Sequence, residues 1–272
     1  MTTSEAKTAA KTAACLIIGD EILSGKIHDL NSHTLAKALF QKGVRLQRVE
    51  VIPDDVDGIV EAARRLSQRF DYVFTSGGIG PTHDDLTYAS IAQAFDRGLA
   101  HHQPTLQLME AHYKARAESR GETFTGLKED TKRMAELPDP ADLLPVEGLW
   151  VPVVRVENVH VLPGVPNLFE RMVQGVLPTL EGTPLHREMV YTQQSESDIA
   201  PVLRDAQQAH PEIAIGSYPR YVPQGYVESD PKPYRVMVTF DGPDPDATLK
   251  LSQQVEDAIS GFRRDAPLGT TL

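Results

Sequence analysis

Between the apolar run FDYVF and the helix-like run YASIAQAF stands TSGGIGPTHDDLT, Thr75 to Thr87. It holds Gly77, Gly78 and Gly80, four hydroxyls (Thr75, Ser76, Thr82, Thr87) and the adjacent carboxylates Asp84 and Asp85. Glycines at such a turn let backbone N–H groups crowd a ligand. The N-terminus of the following helix attracts anions through its free N–H groups and its dipole. Two aspartates in the same place would repel an anion. A divalent cation such as magnesium reconciles the two, because hard cations take carboxylate and phosphate oxygens together. A second acid pair, Asp20-Glu21, follows the apolar run ACLIIG and could join the same metal site.

Each acid also has a plainer use. Aspartate is favoured at a helix N-cap or first turn, which accounts for one of the Asp84-Asp85 pair but not for both. Several other chemistries are excluded by spacing. The turn has neither GxxxxGK[ST] nor GxGxxG, and the nine histidines contain no HExxH. No serine lies in a GxSxG elbow. His83 is the only histidine inside the glycine- and acid-rich stretch.

The elements that must position these residues alternate from Ala13 onward. ACLIIG reads as a buried strand ending at Gly19, and NSHTLAKALFQKG as a helix with Asn31 or Ser32 as N-cap and Gly43 as stop. VRLQRVEVI, DDVDGIVEAARRLSQRF and DYVFTSGG continue as strand, helix and strand. This βαβαβ order predicts an α/β fold with a mostly parallel, three-layer sheet. Ligands in such folds lie beyond the carboxyl ends of the strands, where both acid pairs fall. Helical, charged segments fill Pro104 to Ala135, with His101-His102 in a loop before them. LWVPVVRVENVHVLPGVP predicts two short strands turning near Glu157-Asn158, and NLFERMVQGVLPTL a helix. After the turn residues near 181–188, the order β-α-β-loop-β-α predicts a small α+β unit. The expected division is therefore a tail at 1–12, an α/β domain at 13–182 and a small domain at 183–264.

A net charge of −11, from 27 basic and 38 acidic residues, argues against nucleic-acid binding. The single cysteine, Cys15, excludes a disulfide framework and reads as an inert buried thiol. The polar start, MTTSEAKTAAKTAA, reads as a disordered tail, with no apolar core of a signal peptide. No apolar run approaches the roughly 20 residues that span a bilayer. No membrane association and a cytoplasmic location are expected.

Three stretches, IGDEILSGKIHDLNSHTLAKAL, TSGGIGPTHDDLT and LPGVPNLFERM, resemble in content and order the CinA-type molybdopterin-binding-like domain. Its superfamily includes the MogA, MoaB and MoeA proteins of molybdenum-cofactor assembly. The resemblance runs from about Ala13 to near the end of the chain. The second unit, with SESDIAPVLRD and IAIGSYP, looks like the KH-type α+β domain that follows it in CinA proteins. It has no GxxG clamp loop, so RNA binding is not implied. Molybdenum-cofactor proteins typically carry Arg-Asp where this chain has Asp84-Asp85, and VPVV (Val151 to Val154) replaces an APGF-like stretch. The acidic residue at the arginine position suits a metal-dependent phosphoanhydride site, and VPVV together with ENVHVLPGVPNLF looks more like the first domain of eukaryotic FAD synthases and their stand-alone bacterial relatives. Neither the C-terminal amidase of CinA proteins nor an FAD-synthesising domain is expected, because the chain ends before either would fit.

The resemblance implies a metal-dependent pyrophosphatase that cleaves ADP-ribose or FAD between its phosphates, with a non-catalytic pterin- or nucleotide-binding protein as the alternative. Asp20, Asp84 and Asp85 would hold the divalent ion, with a monovalent cation as a further candidate. Lys132, in a segment resembling the family's Asn-Lys-Arg stretch, would stabilise the leaving phosphate. Gly77, Gly78, Gly80 and Thr82 would hold phosphate, and Asn31, Ser76, Gly164 and Pro166 would complete the ligand site. The superfamily also implies an oligomer, most simply a homodimer.

Overall fold

The computed structural model describes residues 10–221 and 233–264. Residues 1–9 of the expected tail and 222–232 of the loop expected in the small α+β unit lie outside them. The chain forms two compact units that divide between Thr183 and Pro184.

The first unit is built on β1 (Thr12–Ile18), which starts one residue before the expected position. Its side chains alternate between two cores. Ala14, Leu16 and Ile18 point to one face, and Ala13, Cys15 and Ile17 to the other. A strand buried on both faces must read as continuously apolar, which is why ACLIIG shows no polar alternation. A short helical turn, α1 (Asp20–Leu23), follows, then α2 (Asn31–Lys42), β2 (Arg45–Ile52), α3 (Val56–Ser67) and β3 (Tyr72–Ser76). Gly43 ends α2 in the left-handed conformation at φ 76°. The α2 start departs from expectation. Asp29 Oδ1 accepts the N–H groups of Asn31 and Ser32 at 2.9 and 3.0 Å, so Asp29 does the capping and Asn31 is free to turn inward.

Next come α4 (Thr87–Ala94), β4 (Gly98–His101), α5 (Gln103–Ser119), α6 (Glu129–Lys132), β5 (Glu136–Asp139) and β6 (Asp142–Leu144). β7 (Val153–Val156), β8 (Val159–Val161) and α7 (Pro166–Val176) complete the unit. The six-stranded sheet has the order β2-β1-β3-β8-β7-β6. Its first four strands are parallel, and β7 and β6 add antiparallel at the other edge. Helices α3 and α4 cover one face, while α2 and α7 cover the other. His101 is not in a loop. It closes a two-stranded ribbon in which β4 pairs antiparallel with β5, and every residue of β4 is exposed. An exposed strand has no burial alternation, so its sequence carries no strand signal.

The second unit comprises β9 (His186–Thr192), α8 (Glu196–Ala209), β10 (Ala214–Pro219), β11 (Val236–Gly242) and α9 (Pro245–Ala258). Its antiparallel sheet has the order β10-β11-β9. Val190, Val238 and Phe240 from the sheet pack with Ile199 of α8 and Leu251 and Val255 of α9. Ser195 and Asp198 form a reciprocal capping box that starts α8. Among the described residues, no helix is long and apolar enough to cross a membrane.

Candidate functional site

The carboxyl ends of the four parallel strands open onto one cavity of about 510 Å³. It is lined by Ile18 from β1, Asp54 after β2, the turn after β3, and Pro163, Gly164 and Val165 after β8. Such convergence at strand ends is where doubly wound sheets bind ligands.

The glycine turn is held by its own chemistry. Gly77 and Gly78 adopt φ 115° and 66°, which side chains rarely allow. A Cβ on Gly77 would collide with the Ile18 carbonyl oxygen, and one on Gly78 with the Thr87 hydroxyl. The Gly77 N–H donates to the Leu162 carbonyl at 3.1 Å, tying the turn to β8. The Thr87 hydroxyl donates to the Gly77 carbonyl, and the Thr87 N–H to the Gly78 carbonyl, each at 2.9 Å. Gly164 packs against this turn, and a Cβ there would lie in ordinary contact, 3.4 Å from the Gly77 Cα.

The two aspartates of the turn do different things. Asp85 Oδ1 accepts the Gly80 N–H at 2.6 Å, and Oδ2 accepts the Thr82 N–H at 2.7 Å and the Thr82 hydroxyl. Both oxygens are thus spent inside the turn. Three expectations need correction together. The Gly80 and Thr82 donors are taken by Asp85 rather than open to phosphate, and Asp85 braces the turn rather than facing a cation. Among the described residues, the Gly78 and Ile79 N–H groups have no protein acceptor, so they are the donors left for a ligand. Asp84 is exposed, and hydrogen bonding within the turn holds its carboxyl below the usual carboxylate range.

Facing the turn is an acidic wall. Glu21, Asp54 and Asp84 line the cavity, and the Asp20 N–H donates to Asp54 Oδ2 at 3.0 Å. Partial burial raises the Asp54 pKa, and the charges of Glu21, Asp20 and Asp84 push the same way. Asp20 itself is absent from the cavity lining. It holds Asp54 through its backbone, and Glu21 takes the place expected for it. Among the described residues, no three His, Cys, Asp or Glu side chains converge as a ready-made metal cage.

Asn31 and Ser76 lie behind the wall instead of in it. Asn31 is 6% exposed and Ser76 2%. The Asn31 Nδ2 donates to Ser76 Oγ at 2.8 Å and to the Gly164 carbonyl at 2.9 Å. One amide therefore staples α2, β3 and the turn after β8. Pro166 serves as the first residue of α7, where its missing N–H costs nothing. Lys132 also departs from its expected role. Its Nζ pairs with the exposed Glu129 at 2.6 Å, whereas the neighbouring Arg133 donates to the Thr82 carbonyl at 3.2 Å. Asp54 and Arg133 are the residues that reading along the chain missed. Asp54 had a usable signal, because it follows the end of a parallel strand as Asp20 does.

Comparison with known proteins bears on the family of the chain. Residues 14–182 match the family model described as "Probable molybdopterin binding domain", and 184–262 match "FAD synthase, middle domain". The chain is 39% identical over 230 residues to a protein named "Probable FAD synthase" from Caenorhabditis elegans, covering 77% of this chain. It spans only 44% of that relative's length. A protein of Archaeoglobus fulgidus is 31% identical over 246 residues, covering 90% of this chain and 97% of the relative. The crystal structure of the protein CinA from Thermoplasma acidophilum, described as having unknown function, superposes with a TM-score of 0.55 at 26% identity. That match covers 63% of this chain and 99% of the other. The two domain models together run from the first strand to the last helix, and the larger takes in the whole cavity. On that match the chain belongs to the family of molybdopterin-binding domains.

Proposed function

We propose that this protein hydrolyses the diphosphate bond of ADP-ribose or FAD with the help of a divalent cation. The observation that carries the reading is one cavity that brings the open Gly78 and Ile79 N–H groups together with the carboxylates of Glu21, Asp54 and Asp84. Donors of that kind suit phosphate oxygens. Carboxylates beside them with no lysine or arginine partner among the described residues suit a cation. The names of the relatives, molybdopterin binding and FAD synthase, support a phosphorylated cofactor as the ligand class.

Glu21, Asp54 and Asp84 would offer carboxylate oxygens to a hard cation of the magnesium type, an ion that characteristically takes further ligands from substrate phosphates and water. When bound, such an ion neutralises phosphate charge and makes a coordinated water more acidic. The chain's own residues do the rest. The Gly78 and Ile79 N–H groups hold one phosphate. Asp54, with its raised pKa, takes a proton from water as the water oxygen bonds to phosphorus. The bridging P–O bond breaks, and the bridging oxygen leaves with the other phosphate. The products are AMP with ribose phosphate, or AMP with FMN.

Incubation with ADP-ribose and FAD under several divalent ions, with chromatographic detection of AMP, tests the proposal. Tight nucleotide or pterin binding without AMP under any ion would leave a binding module. We also propose a two-fold dimer, the commonest closed assembly. Light scattering that gives a monomer at micromolar concentration would end that part.

A further inference from the structure

A second cavity adjoins the first within the same unit. It measures about 260 Å³, and its lining includes His102, Leu108, Leu143, Leu149 and Trp150. Trp150 also lines the larger cavity, so one indole is a wall of both. The larger cavity also has apolar lining, including Ile27, and its Met134 and Leu168 belong to the clusters that pack Trp150. No carboxylate, lysine or arginine lines the smaller one, which makes it a poor host for phosphate or ribose. Whole-ligand pockets run from about 300 to 1,000 Å³. The smaller cavity falls below that range and suits one moiety of a ligand, such as a ring system. Its polar equipment is sparse in the way ring sites are. His102 Nδ1 pairs with the Thr105 hydroxyl at 2.8 Å, which leaves Nε2 for a ring heteroatom.

We infer that this apolar cavity is a ring subsite for a flat, fused-ring heterocycle of the flavin or pterin type, and that Trp150 is the residue that selects it by stacking. The inference deepens the diphosphate reading and depends on it only for the phosphate end. The subsite explains how two diphosphates of equal charge would be told apart. FAD brings a fused ring beyond its second phosphate, whereas ADP-ribose ends in a bare sugar.

Trp150 is the only tryptophan in the chain, so its emission reports a ring arriving in either cavity it lines, and the Leu108 variant below assigns the signal to the smaller one. The full chain is titrated with riboflavin, neopterin and adenosine, none of which carries phosphate. Riboflavin or neopterin should quench Trp150 at concentrations at least tenfold below adenosine. Trp150→Leu should weaken FAD binding, read by flavin anisotropy, by about tenfold, the scale of one lost aromatic contact. ADP-ribose binding should change less than twofold. Leu108 is 55% exposed, so Leu108→Glu puts a charge into the cavity lining without touching the core. It should reproduce the selective loss even if Trp150→Leu folds poorly. Equal affinity for the three probes, or unchanged FAD binding in Leu108→Glu, overturns the subsite. Ring binding without hydrolysis of any diphosphate would strike the proposed activity alone and leave the subsite standing.

Discussion

The loop after β3 and the loop after β1 both leave a parallel strand, both carry an acid pair, and both border the same cavity. They are built in opposite ways. In the loop after β3, Asp85 answers Gly80 and Thr82, Thr87 answers Gly77 and Gly78, and Gly77 answers Leu162. The loop after β1 leaves Leu23, Ile27 and Leu30 exposed at 54, 57 and 59%, and its Glu21 carboxylate faces the cavity beside Asp54. One loop is a frame braced by its own hydrogen bonds that leaves only the Gly78 and Ile79 N–H groups and Asp84 for a ligand, and the other offers a carboxylate with no basic partner among the described residues. Adjacent residues of one type can fall on either side of that line, as Asp84 and Asp85 do. Chemistry is to be sought where charge is left uncompensated, and acid-rich sequence alone does not locate it.

If the loop after β3 is a frame, breaking it should cost the whole fold. Gly77→Ala combines an unfavourable positive φ with a collision against fixed backbone. The expected loss is about 2–4 kcal/mol of stability by chemical denaturation, with ligand binding lost as well. A variant as stable as wild type would mean the turn can shift, and the frame description would fail.

Asp85→Asn is the next largest effect. Asparagine has one oxygen where the turn uses two, so either the Gly80 or the Thr82 contact must be left unanswered. A loss of about 1–3 kcal/mol is expected, in the range for hydrogen bonds to a charged group. Asp84→Asn should leave stability within about 0.5 kcal/mol, as for exposed sites in general, and lower only divalent-ion-dependent turnover. Comparable melting of the two single variants would erase the distinction between neighbouring acids.

What could be read along the chain follows from range. The double burial of β1, the glycine turn and the order of strands and helices are local or periodic, and each left its mark on composition. The residues that escaped are fixed by pairing across the chain. Asp54 reaches the site because Ile18 of β1 pairs with Ile52 of β2, a register no local pattern records. Asn31 looked like a cap because Asn is a good one, but Asp29 won that competition and released its amide to Ser76 and Gly164. The donors of Gly80 and Thr82 looked available because glycine-rich turns often bind anions. Only the folded turn brings Asp85 back onto them.

The acidic wall makes a prediction about pH. Asp54 has a folded pKa above its ordinary value of 3.8, so between the two values the folded state holds more protons than the unfolded one. This contribution to stability is complete below the ordinary value and is lost as pH rises through the raised one. Asp54→Asn removes that slope, and its amide oxygen can still accept the Asp20 N–H. The variant should melt at or above the wild-type temperature at neutral pH while losing hydrolysis. A lower melting temperature with turnover retained would reverse the assignment of Asp54 to the uncompensated side.

The smallest expected effect concerns the two cations beside the turn. Lys132 is paired with Glu129 at 2.6 Å, and that glutamate's carboxyl is held low first by the hydrogen bond and then by the lysine charge. Glu129 is 87% exposed, and an exposed pair three residues apart contributes only a few tenths of a kcal/mol. Lys132→Ala should therefore change stability by less than about 0.5 kcal/mol and turnover by less than about twofold. Arg133→Ala removes the donor to the Thr82 carbonyl, a contact that ties this segment to the frame. It should raise the KM for a diphosphate by several-fold with kcat nearly unchanged, because the arginine positions the turn without touching the reacting bond. Measuring both variants on one substrate decides between the neighbours. A tenfold fall in kcat for Lys132→Ala, with Arg133→Ala near wild type, would mean that the lysine leaves Glu129 when the diphosphate arrives and that the cation expected from sequence is the working one.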